Sequence, residues 1–225
     1  MKVVFIAFSV FFISLHLWAQ DAVPAADKEA AYTKTVTTRA EKIVATLQLS
    51  DPKKANVVTG LIANEYKALN AVHAVRDEQL KAAKETLTDK DALNKKRQEV
   101  EDATMPKIQQ LHDAFLKKLS AELSPEQITQ VKDGLTYNVL PITYKAFQDM
   151  IPGLKPAEKE QIMAWLVEAR EHAMDAESSE KKHWWFGKYK GRINNYLAAQ
   201  GYDLQKERQG WEARTSAAQN KTKTN

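Results

Sequence analysis

Apolar residues recur along most of this chain at steps of three and four, the spacing that places side chains on one face of an α-helix. No segment alternates apolar and polar residues with the β-branched enrichment typical of strands. The pattern therefore predicts an all-α fold, a single-domain irregular helical bundle of six or seven helices. Two long antiparallel helices, about Pro52–Leu87 and Thr88–Leu123, are expected to carry a C-terminal helical hairpin made by Pro156–Ala176 and Ser179–Ala199.

Residues that favour helix ends mark several of the predicted boundaries. Ser50 is predicted to cap the helix that begins at Pro52. The segment Ser124–Gln127 has the spacing of a capping box, and Gly134 is expected just after the end of the helix that it begins. Pro106 is expected to kink the third helix or to divide it.

The N-terminal residues have the pattern of a cleavable secretory signal. The apolar run Val3–Leu17 is about 15 residues long, whereas a membrane-spanning helix needs about 20. Cleavage is expected near Ala19, and the lack of a following cysteine excludes a lipid anchor. The predicted organisation is a signal peptide over 1–19, a single helical domain over 20–216 with its last helix ending near Thr215, and a disordered tail over 217–225. We expect a periplasmic or secreted protein with no stable membrane insertion after cleavage.

The composition narrows the chemistry that this protein can use. The sequence has no cysteine, so it forms no disulfide and has no thiolate for catalysis or metal binding. Its formal net charge is +4, with the bases spread along the helices, whereas nucleic-acid binding usually needs a basic face. Glu168 and His172 stand four residues apart, which is not the Glu-x-x-His spacing of di-iron bundles. We therefore expect no nucleic-acid partner, no metal and no cofactor.

The least ordinary part of the chain is the predicted C-terminal hairpin. Trp165, Glu168, His172 and Asp175 follow one another at steps of three and four, so they share one face of the first helix. The second helix carries a matching stripe beside its apolar face: Trp184, Lys188, Arg192 and Asn195. A link of about three residues requires the two helices to run antiparallel, which brings the stripes together.

These stripes have two interpretations. Acids opposite bases, with tryptophans beside the core, are typical of interhelical packing. The same side chains also suit a small-molecule site, which combines apolar walls with a few directional polar groups. Carbohydrate rings stack on indoles, and their hydroxyls bond to carboxylates, amides and guanidinium groups. Arg192, Asn194 and Asn195 suit a carboxylate or phosphate equally well. Trp185 and Tyr189 are expected in the core.

Two further residues are expected to face this hairpin. His73 and Arg76 lie on an otherwise apolar stripe of the second helix. A buried guanidinium needs an anionic partner, for which Asp77, Glu168 or a ligand are candidates. A histidine on an apolar face is usually a satisfied core residue, but together with Arg76 it is predicted to complete one polar pocket.

Long segments of the chain resemble a family of exported bacterial proteins called domain of unknown function 3826. The resemblance covers about Tyr32–Trp211 and is carried by WLVEAREHAMDA, KHWWFGKYKGRINNYL and GYDL, with earlier matches in RAEKIVATLQLSD and LSAELSPEQITQVKDGLTYNVLPITYKAF. The family is described as sugar-binding, and the resemblance implies no catalytic residues. Its motif positions in this chain are Trp165, Glu168, Arg170, Glu171, His172, Asp175, Lys188, Arg192, Asn194 and Asn195.

These observations favour an exported, non-catalytic protein that binds a carbohydrate or a related polyhydroxylated or anionic ligand. The candidate ligand-binding residues are Trp165, Glu168, His172, Asp175, Trp184, Lys188, Arg192, Asn195, His73 and Arg76. Two alternatives stay open. The segment Leu123–Gln127 resembles the LTxxQ motif of the periplasmic Spy/CpxP chaperones, which suggests a chaperone or stress adaptor. A carbohydrate-active enzyme would use Glu168 and Asp175 as its pair of carboxylates.

Overall fold

The computed structural model describes residues 25–223, and its side chains over 26–217. This part of the chain folds entirely into helices, as predicted. They are α1 (Ala25–Thr46), α2 (Pro52–Thr86), α3 (Lys90–Ser120), α4 (Pro125–Leu135), α5 (Val139–Met150), α6 (Pro156–Met174), α7 (Ser179–Ala199) and α8 (Leu204–Lys223). The described residues therefore form eight helices, not the six or seven predicted. The predicted signal peptide lies outside them.

Several predicted helix ends need correction. Asp51, not Ser50, caps α2, because its carboxylate accepts a hydrogen bond from the backbone nitrogen of Lys53 at 2.8 Å. Pro106 lies inside α3 without dividing it. Gly134 belongs to α4 and does not terminate it. A Cβ atom at Gly134 would lie 3.0 Å from the side chain of Ile43, so this glycine permits α4 to approach α1 closely.

The predicted capping box is confirmed. Ser124 and Gln127 form both hydrogen bonds of the capping box at the start of α4. Gly201 has a φ of +95°, the left-handed conformation that glycine adopts without strain, and ends α7. The final helix is longer than predicted, since α8 continues to Lys223 and includes the described part of the expected disordered tail. No described helix is both long enough and apolar enough to cross a membrane.

The helices pack around two apolar cores. Residues of α1, α2, α3 and α4 form the first core, in which Val36, Ile62 and Leu119 are fully buried. Residues of α5, α6 and α7 form the second core around Ile162 and Ile193. Helix α4 connects the two parts because it contacts α1, α3, α5 and α6. Short links make α2–α3 and α6–α7 antiparallel hairpins, as predicted, and the turn of the second hairpin lies against the first.

Candidate functional site

A cleft of about 440 Å³ lies where α2 and α3 meet the turn between α6 and α7. Helix α2 contributes His73 and Arg76, and α3 contributes Met105 and Ile108. The α6–α7 hairpin contributes the remaining wall, including both tryptophans of the Trp184-Trp185 pair. The volume falls in the range of small-molecule sites, roughly 300–1,000 Å³.

Aromatic rings form the hairpin wall of this cleft. The ring of His172 stacks on Trp185 with 4.4 Å between centroids and an angle of 17° between the planes. Trp184 packs edge-on against Trp185, with 5.0 Å between centroids. Trp184 remains 52% exposed, and Lys188 lies over both indoles. The wall is therefore a fixed aromatic surface with one large apolar ring facing solvent.

Buried polar groups line another part of the cleft. His73 donates from Nε2 to the backbone carbonyl of Asp175 at 2.8 Å. The carboxylate of Asp175 accepts from His112 Nδ1 at 2.8 Å through Oδ2. Two buried atoms, His73 Nδ1 and Asp175 Oδ1, have no hydrogen-bond partner among the described residues. An unpaired buried polar atom is costly, and these two atoms are closed to solvent, so a buried water is the expected partner of each.

Arg76 is held by two carboxylates at the edge of the cleft. Its Nη2 lies 2.6 Å from Asp77 Oδ1 and 3.1 Å from Glu177 Oε1. The predicted need for an anionic partner is confirmed with Asp77, and Glu177 on the hairpin turn supplies the second partner. Glu168 is not a partner of Arg76. The formally charged side chains that line the cleft are Arg76, Lys181, Asp77, Glu101, Asp175 and Glu177. Two positive and four negative groups leave the lining net acidic.

Behind the cleft, Asp175 belongs to a buried ionic network. Burial, followed by the charge of Asp175, raises the pKa of Glu65 from 4.5 to about 7. The hydrogen bond to Asp175 raises the pKa of His112. Glu171 lies 3.6 Å from His112 Nε2 and 2.6 Å from Lys132 Nζ. The ion pairs of this network join α3, α4 and α6 beneath the cleft, and Glu65 of α2 lies near them with Oε1 unpartnered among the described residues.

A buried lysine completes this interior. Lys182 donates from Nζ to the backbone carbonyl of Met174 at 2.9 Å and lies near the ring of Tyr66. Burial lowers the pKa of Lys182 to about 8, against the opposing effect of Asp175. Like Glu65, this side chain is held in a dry environment that disfavours its charged form.

Glu65→Gln is expected to remove part of the pH dependence of stability. Because the folded-state pKa of Glu65 is raised, the folded protein binds this proton more tightly, and stability falls as the pH rises from about 4.5 to 7. The variant lacks this proton, so the native protein should lose stability relative to the variant as the pH rises over that range. We expect a change on the order of 2 kcal/mol, measured by urea denaturation between pH 4.5 and 8.

Glu78→Gln is the control for this experiment, since Glu78 is an exposed carboxylate on the same helix. Its difference from the native protein should be the same at every pH. Parallel curves for the native protein and Glu65→Gln would contradict the raised pKa.

The structure brings five of the ten candidate residues into the cleft: His73, Arg76, His172, Asp175 and Trp184. Lys188 contacts the aromatic wall through its ammonium group. Trp165, Glu168 and Arg192 form a separate group farther along the hairpin, in which Glu168 and Arg192 are exposed and Trp165 is half-buried. There the guanidinium of Arg192 stacks 4.5 Å from the Trp165 centroid and lies 3.4 Å from Glu168. Asn195 is exposed and does not line the cleft.

The sequence reasoning missed several lining residues. Trp185 packs against the second core, as expected, but it is only partly buried and also forms the middle of the aromatic wall. The contribution of α3, with Glu101 and Met105 one turn apart, was not predicted. The sequence feature that could have indicated this contribution is Met105, an apolar residue next to Glu101 on the same face of α3; its side chain is exposed in the structure. Across the described residues, no three histidine, aspartate or glutamate side chains are arranged to hold a metal ion.

The fold and this cleft define the class: an all-helical protein with one aromatic, ionic cleft between two antiparallel hairpins. The model of the family described as Protein of unknown function (DUF3826) matches residues 33–217, and the chain belongs to that family. A search of curated proteins finds no match.

Proposed function

We propose that this protein is a non-catalytic binding protein for a carbohydrate or a related polyhydroxylated ligand, and that the cleft beside Trp184 is its site. The observation that carries the proposal is the pairing, in one cleft, of the exposed Trp184 ring with the polar groups of Asp175 and Arg76. A sugar ring has an apolar face and a rim of hydroxyls, so it needs both kinds of group at once.

Two features of the cleft support a ligand over simple packing. A surface that only joined two hairpins would cover its largest apolar ring, yet Trp184 is left open to solvent. Asp175 Oδ1 and His73 Nδ1 also have no partner among the described residues, a state that they share with Glu65 Oε1 and Glu158 Oε1 away from the cleft. Both cleft atoms are acceptors, so a hydroxyl group suits them as a donor.

The charge of the cleft favours neutral or basic sugars over anionic ones. The guanidinium of Arg76 is already neutralised by Asp77 and Glu177. A carboxylate or phosphate entering the cleft would meet a net acidic lining, and like charges at close range in a partly dry site repel strongly. Arg192, the other arginine considered for an anion, is paired with Glu168 outside the cleft.

The two alternative functions receive less support. Glu168 lies on the exposed hairpin face and pairs with Arg192, while Asp175 is held by His112 in the buried network, so they do not face one common cleft. The segment that resembles the chaperone motif forms both bonds of a capping box, and this structural role accounts for Ser124 and Gln127.

We also propose that the protein acts outside the cytoplasm. The apolar run Val3–Leu17 behind Lys2 supports an exported chain. Such a location would give the cleft access to glycans of the cell surface or the surroundings.

A ligand panel tests the proposed function. Neutral oligosaccharides, amino sugars and uronic acids are compared by thermal shift and by tryptophan fluorescence. Neutral or amino sugars should raise the melting temperature, since a ligand at 100 times its Kd adds about 2.7 kcal/mol to stability, and should change the emission of Trp184 and Trp185. Uronic acids should bind more weakly. Binding confined to anionic sugars would contradict the charge argument, and no response to any glycan would contradict the function.

A further inference from the structure

A second cavity, distinct from the cleft, is an apolar groove of about 500 Å³ between α5, α7 and α8. Its apolar lining consists of Ile142, Ala146, Phe147, Met150, Leu204 and Trp211. Ile142, Ala146 and Met150 follow one another at steps of four along α5, so they form a continuous row. At 1.5 Å per residue this row is about 12 Å long. The apolar lining of the groove is therefore long enough to contact several consecutive methylene groups of an extended chain.

The charged side chains that line this groove are all positive. Lys190 and Arg208 are its charged lining residues, Asn194 adds an amide, and no acidic side chain lines it. Within the part of the chain that the structure describes, no ion pair joins Lys190 or Arg208 to a carboxylate. This is the reverse of the cleft, whose arginine is paired and whose lining is acidic.

The walls of the groove are fixed by interactions outside it. Arg214 on α8 donates to the backbone carbonyls of Asp149 and Met150 at the end of α5. The hydroxyl of Tyr202, just before α8, lies 3.0 Å from the Gly153 carbonyl and 2.7 Å from the Glu158 carboxylate. These contacts hold α8 against α5, so the groove is preformed, which lowers the entropic cost of binding.

We propose that this groove binds a single-chain amphiphile with an anionic head group, of the fatty-acid class. The acyl chain lies along the Ile142–Met150 row and under Trp211, where it buries apolar surface. The carboxylate lies at Lys190 and Arg208, where a charge-assisted hydrogen bond to an unpaired guanidinium is among the stronger polar contacts available. We do not expect a carbohydrate to bind in this groove, because its lining offers few acceptors for the hydroxyl groups of a sugar.

Calorimetric titration with laurate, below its micelle concentration, tests this proposal. The protein should bind one laurate, and dodecyltrimethylammonium, which has the same chain and the opposite charge, should bind at least tenfold more weakly. Arg208→Glu should weaken laurate binding at least tenfold, and Lys206→Glu, an equal charge reversal on the exposed face of the same helix, should leave it within twofold. Equal loss in both variants would show a general charge effect and overturn the head-group assignment.

Ile142→Asn tests the tail of the ligand separately, because it removes apolar surface without changing the charge. Ile142 is 64% exposed, so the substitution leaves the fold intact and its melting temperature nearly unchanged. It should reduce laurate binding at least tenfold, while Trp184→Ala, in the other cavity, should have no effect on laurate. Unchanged laurate binding by Ile142→Asn overturns the proposal. So does binding only to anionic lipid vesicles, or sedimentation showing a dimer that Ile142→Asn dissociates, since the occupant would then be a membrane or a second copy of the chain.

Discussion

Trp184→Ala is expected to weaken carbohydrate binding at least tenfold while lowering the melting temperature only moderately and leaving the protein folded. Because the side chain is 52% exposed in the free protein, about half of its surface is buried in the fold, and its contact with Trp185 is lost in the variant. The ligand loses its stacking surface as well, since covering about 60 Å² of indole at roughly 25 cal/mol per Å² contributes about 1.5 kcal/mol, which is a factor of ten in Kd. Fluorescence titration with the tightest sugar of the panel gives the affinity, and circular dichroism gives the melting temperature.

Arg192→Ala is the matched control for this variant. Arg192 lies on the same helix, about two turns farther on, and stacks on a different indole, Trp165. Since it does not line the cleft, its removal should leave the sugar affinity within twofold. The opposite result, with Arg192→Ala losing binding and Trp184→Ala keeping it, would move the site to the exposed hairpin face. No change in either variant would mean that the hairpin binds no sugar.

The stripe on α6 shows how far the sequence could predict the site. Trp165, Glu168, His172 and Asp175 do follow one another along a line at helical spacing, as expected. Ten residues at 1.5 Å each, however, separate its ends by about 15 Å. Asp175 is the C-cap beyond the last turn of α6, buried against His112, whereas Trp165 and Glu168 lie far along the surface. Helical spacing therefore predicts which residues share a face of one helix. It does not predict which of them share a site, because that depends on how the helices pack.

The contacts that define the cleft are between residues distant in sequence. His73 meets the carbonyl of Asp175, and Arg76 meets Glu177, each about one hundred residues later. Periodicity indicated that His73 and Arg76 face an interior and that Arg76 needs an anion, but it could not say which helix supplies that anion. Asp77, the sequence neighbour, was predictable, and Glu177 depended on how the two hairpins pack. The helices themselves were predictable because their caps and periodicity are local.

Arg170→Ala is expected to reduce the free energy of unfolding by about 3–5 kcal/mol. The Arg170 side chain is 8% exposed and donates to Asp133 Oδ1 at 2.9 Å, with Glu171 Oε1 at 3.3 Å. Its removal leaves the partly buried carboxylate of Asp133 without its partner. It also removes one of the two ion pairs that join α4 to α6, the other being Lys132–Glu171. Urea denaturation at pH 7 measures this loss. The slope of the unfolding free energy against urea concentration should stay the same in the variant, because the surface exposed on unfolding does not change.

Two variants show whether the loss comes from the buried charge pair. Arg192→Ala removes an arginine of the same family signature, but its side chain is 55% exposed and its ion pair with Glu168 spans 3.4 Å, so it should cost less than about 1 kcal/mol. Arg170→Met keeps the packing of the side-chain stem without the charge and should recover only part of the loss. Equal costs for Arg170→Ala and Arg192→Ala would contradict the assignment of Arg170 to the fold. A large difference would show that the two arginines of the family signature have different roles. Arg170 would stabilise the helices under the cleft, and Arg192 would belong to the protein surface.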